Sequence, residues 1–175
     1  MQLLEFDFKR LRAEAIRDYL TMYGPAPDVI CCTCGNSAKA LRDVGLYVVE
    51  IGSGPNALLR PTRWLTPADI RALWPGMFDA TSGHLPLPLY VEIVDRLRRE
   101  CSHWSSAGAV IVPSGSGESA MLTKFAFPDL HVTARFDDND PATTYEGENW
   151  CYTTFPALGI KTERLYSIRD NETFK

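Results

Sequence analysis

The stretch Val110-Ile111-Val112-Pro113-Ser114-Gly115-Ser116-Gly117-Glu118-Ser119 confines this chain to few folds. An apolar run without alternation reads as a strand buried on both faces, and the Gly/Ser turn after it opens into a helical pattern. The same layout occurs earlier in the chain. The apolar run 29–33 passes through Cys34-Gly35-Asn36-Ser37 into a helix over 37–44, closed by Gly45, and 46–51 (LYVVEI) reads as the next strand. Strand, helix and strand within about two dozen residues form a βαβ unit, normally parallel and right-handed. The expected fold is therefore α/β: three layers, a mostly parallel sheet with helices on both faces, and a ligand at the carboxyl ends of the strands.

The remaining pattern agrees. Leu11, Ile16, Leu20 and Met22 sit near helical spacing and predict a helix over 9–22, which Gly24-Pro25-Ala26-Pro27 stops. Thr66-Pro67, an N-cap followed by proline at the first helical position, predicts a short helix over 66–73. A helix over 89–101, a strand over 109–112, a helix over 119–127 and a strand over 131–136 follow. The tail from Asp137 carries turns and aromatics without a period and predicts no element. A chain of 175 residues suits a single domain over 1–175, with a small subdomain around 29–75.

Charge narrows the function. The net charge is −4, which provides no electrostatic case for a nucleic-acid backbone or an anionic membrane as main partner. Arg96, Arg98 and Arg99 read as the solvated face of a helix. No apolar run approaches a membrane span, and the first ten residues include acidic ones in place of a signal-peptide pattern, so the expected compartment is the cytoplasm. The five cysteines fit that expectation, being odd in number and clustered at Cys31, Cys32 and Cys34, with Cys101 and Cys151 apart.

Three places can carry chemistry. The loop at 113–119 turns several backbone N–H groups and a helix N-terminus toward one point, an arrangement that suits a phosphate. It lacks the GK[ST] ending of a P-loop, and it is equally open to reading as a tight turn without a ligand. The loop at 33–37 suits a carboxylate in the same way, with Asn36 offering a donor and an acceptor; the plainer reading makes Asn36 or Ser37 an N-cap. Lys9, at the start of the first helix, is the side-chain type that condenses with aldehydes, and otherwise a surface lysine.

Order and spacing join the three. Phe8-Lys9-Arg10, then Thr33-Cys34-Gly35-Asn36-Ser37, then Pro113-Ser114-Gly115-Ser116-Gly117-Glu118-Ser119 resemble, in that order, the SFKxR, S/T-S/T-G-N-x and P-x-G-x-G-G-T segments of the fold-type II, tryptophan-synthase-β-like family of pyridoxal-phosphate enzymes. CGNSAKALRDVGLYVVEI, FDATSGHLPLPLYVEIVDRLRRE with Glu92 in mid-helix, and PDLHVTARF are also similar to family segments, so the resemblance spans residues 7–136. It implies a lyase- or transferase-like enzyme of amino-acid metabolism that uses pyridoxal 5'-phosphate on a small amino acid, by elimination, replacement or other Cα chemistry. Lys9 would be catalytic. Gly115, Ser116, Gly117 and Ser119, with Asn36, would bind the cofactor. Thr33, Cys34, Asn36 and Ser37 would take the substrate carboxylate, and a homodimer is implied.

The chain also departs from the family. It is short, Asp7 replaces the usual Ser, and Glu118 stands where the phosphate loop has Gly, so its carboxylate is expected to turn outward. Cys151, Thr153 and Ser167 are the candidates for the family's partner of the pyridine nitrogen. No metal is expected. Two alternatives remain: a thiol redox protein using Cys31 and Cys34, and a non-catalytic phosphate- or nucleotide-binding domain. Half a zinc site at Cys31 and Cys34, completed by Cys101 and His103, ranks below them.

Overall fold

The computed structural model describes residues 2–3, 6–24, 29–32, 35–51, 72–81, 83–113, 117–137 and 150–165. Helix α1, Phe8–Tyr23, buries Leu11, Ala15, Ile16 and Leu20 along one stripe. Asp7 caps it, Oδ1 accepting from the Arg10 N–H at 3.0 Å. Strand β2, Ile30–Cys32, is buried throughout. Helix α2, Gly35–Asp43, buries Ala38 and Leu41. It ends where Gly45, at φ +92°, donates to the Arg42 carbonyl. Arg42 then reaches forward to strand β3, Val48–Glu50, donating to the Val48 carbonyl at 2.9 Å and to Glu50 at 3.1 Å. Strand β4 is two residues long, Phe78–Asp79.

Helix α3, Leu87–Glu100, buries Leu89, Ile93 and Leu97 at four-residue intervals and leads into a 3-10 turn, Ser102–Ser106. Strand β5, Ala109–Pro113, helix α4, Glu118–Ala126, and strand β6, His131–Asp137, form the second strand–helix–strand run. Arg98 donates to the Phe125 and Ala126 carbonyls, satisfying acceptors at the C-terminal end of α4. A π-helical stretch, Trp150–Thr154, continues as helix α5, Phe155–Leu158, before strand β7, Lys161–Leu165.

The architecture is three-layer α/β, as the sequence predicts, but its strands divide between two parallel sheets instead of forming one. The chain forms two compact units, Asp7–Ile93 and Met1–Phe6 with Val94–Lys175. The stretch 29–75 lies inside the first unit, which begins earlier and ends later. That unit holds the sheet β3-β2-β4, in which Cys31 lies opposite Val49 on one side and Asp79 on the other. The second unit holds β1-β5-β6-β7, where β1 is Gln2–Leu3, with Val110 opposite Val132 and Pro113 opposite Arg135. Its core includes Val110, Val132, Ala134, Phe136 and Phe155.

The structure corrects the expected elements mainly at their ends. Helix α2 begins at Gly35, two residues before the expected start, and the tail left unassigned contributes β7 to a ladder with β6. The helix expected over 66–73 lies largely outside the described residues.

Candidate functional site

Of the sequence candidates in the first unit, Asn36 and Ser37 lie at the carboxyl end of sheet β3-β2-β4. There β2 runs through two residues into α2, and β4 runs into the turn 81–84. Because the strands are parallel, Ala80 N donates to the Cys31 carbonyl at 2.8 Å and Ile51 N to the Cys32 carbonyl at 3.0 Å. The helix start and the turn after β4 therefore open on the same end of the sheet.

Asn36 and Ser37 sit in the first turn of α2, not at its cap, because the helix starts at Gly35. First-turn N–H groups have no acceptor within the helix, so this end presents donors and a partial positive charge. Asn36 is exposed and Ser37 half-buried. Thr33 and Cys34 lie outside the described residues.

Helix α1 reaches this end of the sheet through a residue that sequence reasoning passed over. Arg12 is 5% exposed, and its Nη2 donates to the Ala80 carbonyl at 2.7 Å. A cation beside Leu11 in the buried stripe is the signal that could have revealed it, because a buried guanidinium needs acceptors. Lys9 lies three residues before Arg12, which places it one turn away on the same helix face. Its side chain is exposed and makes no hydrogen bond or ion pair among the described residues. Lys9, Asn36 and Ser37 thus belong to one unit, with Lys9 on the helix that is tied to β4.

Below this end lies Cys31, fully buried and opposite Asp79. Burial, reinforced by the negative charge of Asp79, pushes its thiol up to about 12. The thiol therefore stays protonated at pH 7. A redox pair needs an accessible thiolate of lowered pKa, so this environment weighs against Cys31 as a redox nucleophile. Cys101 is likewise buried, and its thiol is raised to about 11 by burial and by Glu100. Among the described residues no group of three or more His, Cys, Asp or Glu could hold a metal. Cys31 and Cys101 also fall in different units.

The phosphate-loop candidates belong to the second unit. Gly115 and Ser116 lie outside the described residues. Gly117 is buried, has φ +89° and occupies the N-cap of α4. A Cβ there would stand 2.9 Å from Trp150 Cδ1 and 3.0 Å from Phe155 Cζ, so conformation and space both demand glycine. Ser119 is half-buried in the first turn of α4, and its carbonyl accepts from Thr123 Oγ1 at 2.7 Å.

Glu118 is 8% exposed; the loop residues 114–116, from which its carboxylate is expected to turn away, lie outside the described residues. A carboxylate in a first helical turn complements the helix dipole, which gives this end an acid of its own. On the neighbouring strand Arg135 is the register partner of Pro113, the residue that opens the loop. Arg135 Nη2 meets both Glu163 oxygens at 3.3 Å, and its buried Nε has no partner among the described residues. The pyridine-nitrogen candidates Cys151 and Thr153 lie in the π-helical stretch whose Trp150 covers Gly117; Ser167 is outside the described residues.

No helix among the described residues is long and apolar enough to cross a membrane. Compared with protein-family models, curated proteins and solved structures, the chain has no match.

Proposed function

We propose that this chain is a pyridoxal 5'-phosphate-dependent enzyme acting on a small amino acid, in the lyase or transferase class. The observation that supports the reading is that Lys9, Asn36 and Ser37 belong to the one Asp7–Ile93 unit. Arg12 ties the N-terminal part of α1, and with it Lys9, to the end of β4, while the same end of the sheet opens on the first turn of α2. An unpaired amine together with a set of anion-accepting N–H groups is the donor combination that an aldehyde cofactor and an amino-acid carboxylate require.

Lys9 would hold the cofactor's aldehyde group and would move the proton at the substrate Cα. Asn36 and Ser37, with Thr33 and Cys34, would receive the substrate carboxylate, and Asn36 would also bind the cofactor ring. Gly115, Ser116, Gly117 and Ser119 would bind the cofactor phosphate. When bound, the cofactor supplies the electron sink; the protein supplies position and charge. A homodimer in the cytoplasm belongs to the same reading.

The test is reduction with borohydride in the presence of the cofactor, followed by peptide mass analysis. The expected result is a cofactor adduct on Lys9 in the wild type and none on Lys9→Ala. The variant should melt like wild type, because an exposed side chain without partners contributes within about 0.5 kcal/mol. An adduct persisting on Lys9→Ala, or no adduct on the wild type, would rule Lys9 out.

A further inference from the structure

Thr81 is the residue at the carboxyl end of sheet β3-β2-β4 that the account so far leaves without a task. Its backbone is fully engaged: the N–H donates to Asp79 Oδ1 at 2.8 Å, and the carbonyl accepts from the His84 N–H at 3.1 Å. The side chain is different. Thr81 is 6% exposed, and its Oγ1 is buried with no hydrogen-bond partner among the described residues. A buried hydroxyl normally finds a partner, and one left unpaired destabilises the fold that keeps it. Such a group calls for an explanation, and an unpaired donor at the carboxyl end of a parallel sheet stands where such sheets bind ligands.

Its surroundings indicate the ligand's chemistry. Thr81 follows Ala80, whose N–H binds the carbonyl of Cys31 and whose carbonyl takes the Arg12 guanidinium. It therefore stands two residues beyond β4, at the carboxyl end of the sheet. The orphan N–H groups of the α2 first turn and a buried guanidinium share this end of the sheet. These groups, and a hydroxyl able to donate, all suit an anion with two acceptor oxygens.

We propose that the Thr81 hydroxyl is a positioning group for the carboxylate of a small amino acid, completing the set of donors at the start of α2. The identity of the ligand rests on the pyridoxal reading; the unpaired hydroxyl does not. Thr81 stands outside the residues to which the family resemblance gives a role, and it acts by orienting the substrate, with Lys9 left to move the proton.

The experiment compares the wild-type chain with Thr81→Val, which removes the hydroxyl and keeps the shape, and Thr81→Ser, which keeps the hydroxyl. Thermal melting is measured without ligand. Calorimetric titration uses L-alanine, which carries the amino and carboxylate groups and little else, on each chain supplied with pyridoxal 5'-phosphate. Thr81→Val is expected to melt a few degrees above wild type, because an unpaired buried group has gone. It should bind L-alanine at least tenfold more weakly, while Thr81→Ser stays within about threefold of wild type and cofactor capture is equal in all three chains. A Thr81→Val chain that melts below wild type, or binds L-alanine with unchanged affinity, overturns the proposal, as does a wild type that binds no L-alanine. If the melting and binding results hold but no chain captures the cofactor, the pyridoxal reading fails and the ligand-facing hydroxyl stands.

Discussion

At the scale of single residues, two glycines of like backbone conformation are held by different constraints. Gly117 is held by backbone conformation and by contact together, with φ +89° and the Trp150 and Phe155 rings at 2.9 and 3.0 Å from any added Cβ. Gly45 has a similar φ of +92° but open space around it. The pair separates the two costs. Gly45→Ala should lose about 1–2 kcal/mol, the cost of a left-handed conformation alone. Gly117→Ala should lose that and more, because the rings or the helix start must move. Denaturant titration of the two variants checks this, and equal losses would mean that Trp150 yields freely. The thiols make a second residue-scale prediction. Iodoacetamide at pH 8 should label the half-buried Cys151 first, with Cys31, Cys32 and Cys101 reacting only as fast as the chain unfolds. The sign with pH follows from the raised values. The protonated Cys31 and Cys101 are favoured by the fold, so their contribution is fully present below the ordinary thiol pKa of about 8.5 and is lost as pH rises through about 11 and about 12. Stability should therefore decline above pH 9. Cys31 labelling as quickly as Cys151, or forming a reversible disulfide with Cys34, would favour the redox reading instead.

At the scale of elements, α1 shows why Asp7 can stand in place of the Ser of the pattern that this segment resembles. Asp7 stands where the family has Ser, and it serves as the N-cap, its carboxylate accepting from Arg10 N. Ser and Asp are both strong caps because each places a side-chain oxygen over the first turn. Asp7→Ser should leave the melting temperature nearly unchanged, whereas Asp7→Ala should cost about 1 kcal/mol; an equal loss in both variants would show that the charge of Asp7, not its cap, supports the helix. Helix α1 was also the most legible element, its Leu11, Ile16 and Leu20 placing it within a residue of Phe8–Tyr23. The β2–α2–β3 run and β5–α4–β6 were legible for a related reason: continuous apolar strands and glycine stops are local signals. Strand β7, KTERL, was not. It is charged and sits at the end of the β1-β5-β6-β7 order, where polar side chains suit an edge, and only the ladder to β6 defines it. Two-residue β4 is likewise defined by its pairing with β2.

At the scale of the whole molecule, the sequence order Lys9, Asn36, Gly117 names candidate segments but not how the chain groups them. The structure assigns Lys9, Asn36 and Ser37 to one compact unit and Gly117, Glu118 and Ser119 to the other. The grouping escaped sequence reading because it depends on contacts such as Arg12 to Ala80, 68 residues apart, which leave no periodic trace. The same holds for Thr81 and Arg135, whose surroundings are set by neighbouring strands. The central claim is that this chain holds a pyridoxal cofactor through Lys9, and a visible absorption spectrum tests it most directly. Purified protein is mixed with pyridoxal 5'-phosphate, desalted and scanned. The account predicts an absorption band near the violet edge that remains with the wild-type protein after desalting and is absent from Lys9→Ala. A desalted wild type without absorption in that region, or a Lys9→Ala variant with the same band, would contradict it.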